Sequence, residues 1–457
     1  MYNFIPYYSI LLIAVISLVA GLYQNKYKND DQYFIGNRNT HWILAAVSIC
    51  ATFLYANVPF FIIKWQPVYG FAGGIWVTLG IVIPLMLLGI VGYKIAQKKN
   101  YKKFFNLTDL ILEKSKSKKL LYTFIFVYVL AAIYNLSANL TALGFVTEYF
   151  TSVNYALMTG IFLAAVTLYT VIGGFTAVVR TDFIQMAFIL LGGLVTGLVV
   201  TADISSPSQV ISEQFGNFFD PNIVFNIGLT IMIIIFGSAI TDNGLFQRIF
   251  SIGSSKNVLK AFGLSAVLYF IACFGVMMIY GGWQASGIDS GKPIFSVLDT
   301  IKTHSNTMML FFFITAMISM SASNLDSVTH SISSLLSRYF VSTYYQKRVA
   351  NVILLVFVVV IYTITQFKID LWLLLTTFGT VRLTVVFPTL YIIFFRNINV
   401  LAILTSIIVA MILGLYLQSI GFNKLYTVAI TLFTPLKILL LFAILNKFKY
   451  TNKELKK

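Results

Sequence analysis

Some thirteen apolar stretches follow one another along this chain, each close to the twenty or so residues a helix needs to cross a bilayer, with only short connections between them. They fall near residues 4–22, 41–64, 69–93, 119–149, 154–172, 178–201, 223–248, 259–283, 305–337, 348–367, 369–393, 398–418 and 424–446. No water is available inside hydrocarbon to satisfy backbone N–H and C=O groups, so stretches of this kind can only be helices. The expected fold is therefore an all-α polytopic membrane protein, one transmembrane domain over 1–457 with no room for a soluble domain between spans. A charged share of 10%, against about 25% in soluble domains, excludes a water-soluble globule. The formal charge of +17 is spread over short inter-span segments rather than one folded face, which excludes a nucleic-acid partner and leaves the bilayer as the partner. Cys50 and Cys273 lie inside apolar runs without metal or redox spacing, as buried thiols do. The first stretch lacks a basic leader and a small-residue cleavage site and reads as a retained span.

Basic residues in short loops bias those loops to the cytoplasm. With the N-terminus outside, 25 Lys and Arg fall in inner segments and five, Lys64, Lys292, Lys302, Lys368 and Lys424, in outer ones. The inner set includes Arg180, Arg248, Arg396 and five lysines of the tail. The steep bias implies an odd number of spans and a cytoplasmic C-terminus. Lys64 and Lys437, near span ends, are expected to snorkel to the interface, and Glu148 to be solvated or capping.

Two spans carry helix-breaking chemistry in their middles. Residues 51–59 of the second place Asn57 and Pro59 there, and residues 237–244 of the seventh place two glycines, Thr241 and Asp242. Breaks at matched positions of two halves point to a transporter's midplane site, where unwound backbone offers free carbonyls and helix ends. Spans 2–6 (41–201) and 7–11 (223–393) would then form two inverted five-helix repeats, preceded by 4–22 and followed by 398–446. Ordinary kinks satisfied by neighbouring helices are the other reading of each break.

The sixth span opens on a costly group. Gly173-Gly174-Phe175-Thr176-Ala177-Val178-Val179-Arg180-Thr181-Asp182-Phe183-Ile184-Gln185 sets a carboxylate just inside an apolar run that carries Gly192-Gly193. Intramembrane ionisable groups are expensive and usually functional. In the ninth span Ser319, Ser323, Asp326 and His330 recur at i, i+4, i+7 and i+11, which puts them on one helix face.

The stretch Gly173-Gly174-x-x-Ala177-Val178-x-x-Thr181-Asp182-x-x-Gln185 resembles the signature of the sodium:solute symporter family. Thr241-Asp242-Asn243-x-x-x-Gln247-Arg248 is similar to that family's seventh-span block, and Ala316-x-x-Ser319 running on to Ser323-Asn324-Leu325-Asp326-Ser327 to its ninth-span serine motif. With Tyr33-Phe34, Gly36 and Ala51-Thr52, the resemblance spans at least residues 33–340. It implies the leucine-transporter type of inverted-repeat fold and a sodium ion between the second and ninth spans, held by the carbonyls of Ala51, Leu54 and Ala316 and the hydroxyl of Ser319. The next position, normally a second hydroxyl residue, is Met320, whose thioether is a soft and poor sodium ligand. Some members use a further sodium position, which here would draw on Ser319, Ser323 and Asp182. Close helix packing for the serines, and a cap or a pairing with Arg180 or Thr181 for Asp182, are the structural alternatives.

Positions matching the family's substrate-facing residues are Phe53, Val58 and Thr241–Asn243, so Asp242 and Asn243, with aromatic cover from Tyr55 and Trp76. Arg382, in the eleventh span, either clamps a substrate carboxylate or neutralises Asp242 or Asp326. His330 either relays protons with Asp326 or packs. The resemblance thus implies symport of a small organic solute (sugar, sialic acid or other carboxylate, or amino acid) into the cell, with sodium as coupling ion and alternating access as mechanism. Met320 and the Asp182, Asp326 and His330 set keep proton coupling open, and a non-transporting solute sensor is the reading from another class. No nucleophile–base or metal-ligand constellation of an enzyme is present, and neither the solute nor the oligomeric state follows from the sequence.

Overall fold

The computed structural model describes residues 4–22, 30–98, 101–151, 154–204, 206–213, 215–291, 293–340, 346–395 and 398–454. Of the positions used in the charge count, Lys26, Lys28, Lys99, Lys292, Arg396, Lys456 and Lys457 lie outside them. Among the described residues there is no strand, and the principal elements are helices. They are α1 Ile5–Leu22, α2 Trp42–Phe53, α3 Val58–Ala96, α4 Lys118–Thr151, α5 Tyr155–Ile172, α6 Gly174–Ile204, α7 Asn222–Ile240, α8 Asn243–Ser251, α9 Ser255–Ser286, α10 Thr307–Phe340, α11 Gln346–Thr365, α12 Leu371–Leu383, α13 Val386–Phe394, α14 Val400–Ser419 and α15 Lys424–Glu454.

Eleven helical stretches among the described residues are long and apolar enough to cross a membrane, rather than thirteen. The difference has local causes. α1 offers a shorter apolar core, Ile5–Ala20, and the second span is split, so that α2 alone is too short. Its outer half runs on into α3 across a kink at Gly70, whose φ of 63° a β-carbon disfavours. Gly174, at φ 56°, makes the same turn between α5 and α6. The chain is a multi-pass membrane protein with all-α architecture.

Three helices break within their spans. α2 ends at Phe53, and Leu54–Asn57 are non-helical before Pro59 re-enters a helix at its first turn, where its missing N–H is harmless. α7 ends at Ile240, and Asp242 caps α8 by accepting the Leu245 N–H at 2.8 Å. α12 and α13 are separated at Thr384–Val385. α10 is the most enclosed long helix, packing on α1, α2, α4, α6 and α11. α6 reaches it through Gly192, where a β-carbon would overlap the Phe312 carbonyl oxygen.

Candidate functional site

The polar face of α10 meets the two broken spans at one buried cluster. Asp182 of α6 is fully buried: Ser323 Oγ donates to one carboxylate oxygen and Ser48 Oγ of α2 to the other. The partner that completes it is Arg248 of α8, with Nη2 3.2 Å from Asp182 Oδ2. Arg248 Nε donates to Ser48 Oγ at 2.8 Å, and Nη2 points at Thr52 Oγ1 and Ser327 Oγ at 2.7 and 2.8 Å. Nη1 donates to the Gly244 carbonyl at 3.2 Å. One guanidinium therefore ties together α2, α6, α8 and α10. Counted among the loop charges in the sequence, Arg248 is 1% exposed. Hydrophobic positions Leu245, Phe246, Ile249 and Phe250 bury α8 on all sides and carry it inward.

A second bridge holds the α2–α3 break. Asn139 of α4 accepts the Ala56 N–H at 2.7 Å and donates to Ser321 O and Asn324 Oδ1 of α10 at 3.3 and 3.2 Å. Asn324 in turn donates to the Thr52 carbonyl at 3.1 Å. Sequence reasoning missed Asn139 and Ser48, and it quoted Thr52, Ser327 and Arg248 in the blocks that resemble the family without giving them a role in the site. Ser48 and Thr52, one helical turn apart in an apolar span, were the available signal.

At the implied sodium position, Ala51, Leu54, Ala316 and Ser319 are all buried. The Val58 N–H turns to the Tyr55 carbonyl at 2.9 Å, so the Leu54 carbonyl stands outside the helical ladder. Ser319 Oγ is buried with no hydrogen-bond partner, which an oxygen awaiting a hard cation would show. Met320 instead lines a narrow apolar cleft with Pro59, Phe60, Gly193, Ala316 and Met317. That cleft shares Phe60, Val146, Ile294 and Leu298 with a larger cavity reaching Lys368 and Asp370.

Around the second break, Arg382 of α12 donates to the Thr241 carbonyl at 2.8 Å and lies 3.4 Å from Asp242 Oδ2. Its guanidinium stands 4.5 Å from the Tyr128 ring, a cation–π arrangement. Asn243 Oδ1 and both amide atoms of Asn57 are buried without partners. Phe53 and Val58 flank the first break, Phe53 with its ring 5.6 Å from that of Tyr55. Trp76 is engaged elsewhere: its indole donates to the Phe218 carbonyl at 2.8 Å and stacks on the Phe218 ring at 5.2 Å. The turn at Gly70 separates it from the break that its sequence position seemed to share.

Asp326 accepts the Tyr169 hydroxyl at 2.8 Å, and the His330 ring packs against Tyr33 at 5.5 Å with Nδ1 unpartnered. Lys64 stands 4.5 Å from the Trp372 ring, and Glu148 pairs with Lys368 at 3.0 Å.

The fold is shared with proteins of known structure. Over 193 residues the chain is 27% identical to the sodium/pantothenate symporter of Haemophilus influenzae, covering 40% of this chain; it spans about two fifths (39%) of that relative's length. The structure of a Na+-coupled sialic acid symporter, substrate-bound and outward-open, matches with a TM-score of 0.82 at 17% identity, over 96% of this chain and 97% of that one. MhsT in complex with L-phenylalanine matches at 0.56 and 14% identity, over 88% and 97%. The sequence pattern of the sodium:solute symporter family covers residues 33–423, and the chain belongs to that family.

Proposed function

We propose that this protein is a sodium-coupled symporter that imports a small organic solute across the cell membrane by alternating access, with its N-terminus outside and its C-terminus in the cytoplasm. The observation that carries the reading is the buried, unpartnered Ser319 hydroxyl beside the broken α2. Sodium is a hard cation that takes carbonyl and hydroxyl oxygens, and the carbonyls of Ala51, Leu54 and Ala316 with Ser319 Oγ supply that set. Met320 contributes no oxygen, so the site is weaker than a pair of hydroxyls would make it. Asp182 and Ser323 form a second cation position at which the Arg248 guanidinium stands in this conformation. Sodium reaches it when Arg248 withdraws.

The solute lies between the two breaks, the centres of two inverted repeats, 41–201 and 223–393. Phe53 and Val58 supply apolar wall there, and Asn243 and Asn57 supply polar atoms without protein partners. Arg382 and Asp242 together present a neutral pair whose guanidinium can turn to a carboxylate. Pantothenate and sialic acid, the solutes in the names of two similar proteins, are both carboxylates and head the panel to test.

Coupling is differential binding: sodium at α2 and α10 favours the arrangement open toward Lys368, to which solute then binds. Thermal unfolding of the purified protein in sodium against potassium tests the ion site. Saturating sodium, at about a hundred times its dissociation constant, stabilises by about 2.7 kcal/mol. Ser319→Ala loses about half of that rise at the same sodium concentration. Equal stability in the two salts for the unaltered protein would overturn the sodium site. The unpartnered atoms of Asp326 and His330 favour proton coupling as the second reading, which uptake driven by a pH gradient alone would select.

A further inference from the structure

Among the described residues, the charged side chains buried in the membrane-crossing region are Asp182, Asp242, Arg248, Asp326 and Arg382. Three carboxylates face two guanidiniums. Two pairs form, Arg248 with Asp182 at 3.2 Å and Arg382 with Asp242 at 3.4 Å. Asp326, fully buried, is the carboxylate left over. Its Oδ2 accepts the Tyr169 hydroxyl at 2.8 Å, its Oδ1 has no hydrogen-bond partner of ordinary geometry, and the hydroxyl of Ser327, the next residue, is a further neutral group within reach.

The groups facing Asp326 do not neutralise it. α5 offers Tyr169, a neutral donor that also accepts from Gln185 Nε2 of α6 at 3.4 Å. α6 offers Asp182, a like charge. Arg248 of α8 lies within electrostatic reach, but its nitrogens are directed to Ser48, Thr52, Ser327, Gly244 and Asp182. His330, one turn on in α10, is enclosed by Tyr33 and Phe175. A sodium at Ser319 would sit seven residues along α10, about 10 Å away at 1.5 Å per residue. A sodium at Asp326 itself needs a ring of oxygens and the space to hold it. The unpartnered side-chain oxygens at this level are Asp326 Oδ1 and Gln185 Oε1, and none of the described cavities is lined by Asp326. A proton needs one lone pair and no space. An isolated buried carboxylate relieves its lost hydration by taking one up.

From this geometry we infer that Asp326 is a proton-binding site, occupied while Arg248 is paired with Asp182. The proton comes from the aqueous phase and is held on Oδ1, with Tyr169 donating to Oδ2. The Arg248–Asp182 pair and the protonated Asp326 together leave the cluster neutral. When sodium replaces Arg248 at the position proposed for it on Asp182, the freed guanidinium pairs with Asp326, whose proton returns to the aqueous phase. Cation exchange at one aspartate thus sets the proton occupancy of the other.

Infrared difference spectroscopy of the purified protein in lipid nanodiscs, at pH 7 in sodium-free potassium buffer, reads this directly. The carbonyl stretch of a protonated carboxyl is expected in the wild type and lost in Asp326→Asn. Tyr169→Phe keeps the band and shifts it to higher frequency, because the hydrogen bond to Oδ2 is gone. Thermal unfolding supplies an independent reading: Asn imitates a protonated Asp, so Asp326→Asn melts at the wild-type temperature while Asp182→Asn melts lower. The inference is overturned by an absent band in the wild type, by a band that survives Asp326→Asn, or by Asp326→Asn melting as low as Asp182→Asn. None of these readouts depends on solute or on a sodium gradient, so they stand apart from the test of sodium coupling.

Discussion

Arg248 and Asp182 form the ion pair at the centre of the buried polar cluster. Both are almost wholly buried, so removing one partner strands the other without water or a countercharge. Asp182→Asn is expected to lower stability by about 3–5 kcal/mol. The double variant Asp182→Asn with Arg248→Met restores part of it, since no stranded charge remains, and thermal unfolding of the three proteins checks the order. A second prediction concerns Ser319 and its neighbour. Removing one oxygen ligand worth about 1.4 kcal/mol raises the sodium concentration for half-maximal stabilisation about tenfold in Ser319→Ala. Met320→Ser lowers it, because a hydroxyl replaces the thioether. The closeness of Asp182 to Ser323 was implied by the family resemblance, while the i, i+4 spacing showed only that Ser319 and Ser323 share a face of α10. The place of Arg248 was not: it belongs to the seventh-span block but was counted among the inner loop charges, and the packing of apolar Leu245, Phe246, Ile249 and Phe250 draws it into the core.

Helix breaks and close approaches position these residues. The breaks after Phe53 and Ile240 were visible in the sequence because Pro, Gly and polar residues interrupt otherwise apolar runs. The separation of Trp76 from the first break was not, since the kink at Gly70 depends on backbone direction. Trp76→Phe is accordingly expected to lose the bond to the Phe218 carbonyl, about 1 kcal/mol, and to leave the sodium response unchanged. Gly192 behaves differently. A β-carbon there meets the Phe312 backbone and Ala316, which moves α6 off α10 at the level of the sodium ligands. Gly192→Ala is expected to lower both stability and sodium affinity, and a variant with weakened sodium response but wild-type melting would show that α6 packing is not what holds the site.

For the molecule as a whole, span number, connection lengths and charge bias prescribe a polytopic helical bundle, and family membership agrees with it. Which solute fits between the breaks depends on shapes at Phe53, Val58, Asn243 and Arg382 that no motif encodes. The narrow cleft at Pro59 and Met320 borders the larger cavity at Lys368 and Asp370 through four shared side chains, and in the proposed function that cavity is the entrance of one of the two states that alternating access requires. In the proposed function, sodium is the ion whose binding favours that state. The most direct measurement is uptake into proteoliposomes of labelled pantothenate, sialic acid and a panel of other carboxylates, sugars and amino acids, with sodium imposed outside and potassium inside. The account predicts transient accumulation of at least one solute that collapses when the gradient is dissipated and is abolished in Asp182→Ala. Uptake of the same extent with potassium on both sides, or unchanged in Asp182→Ala, would contradict it.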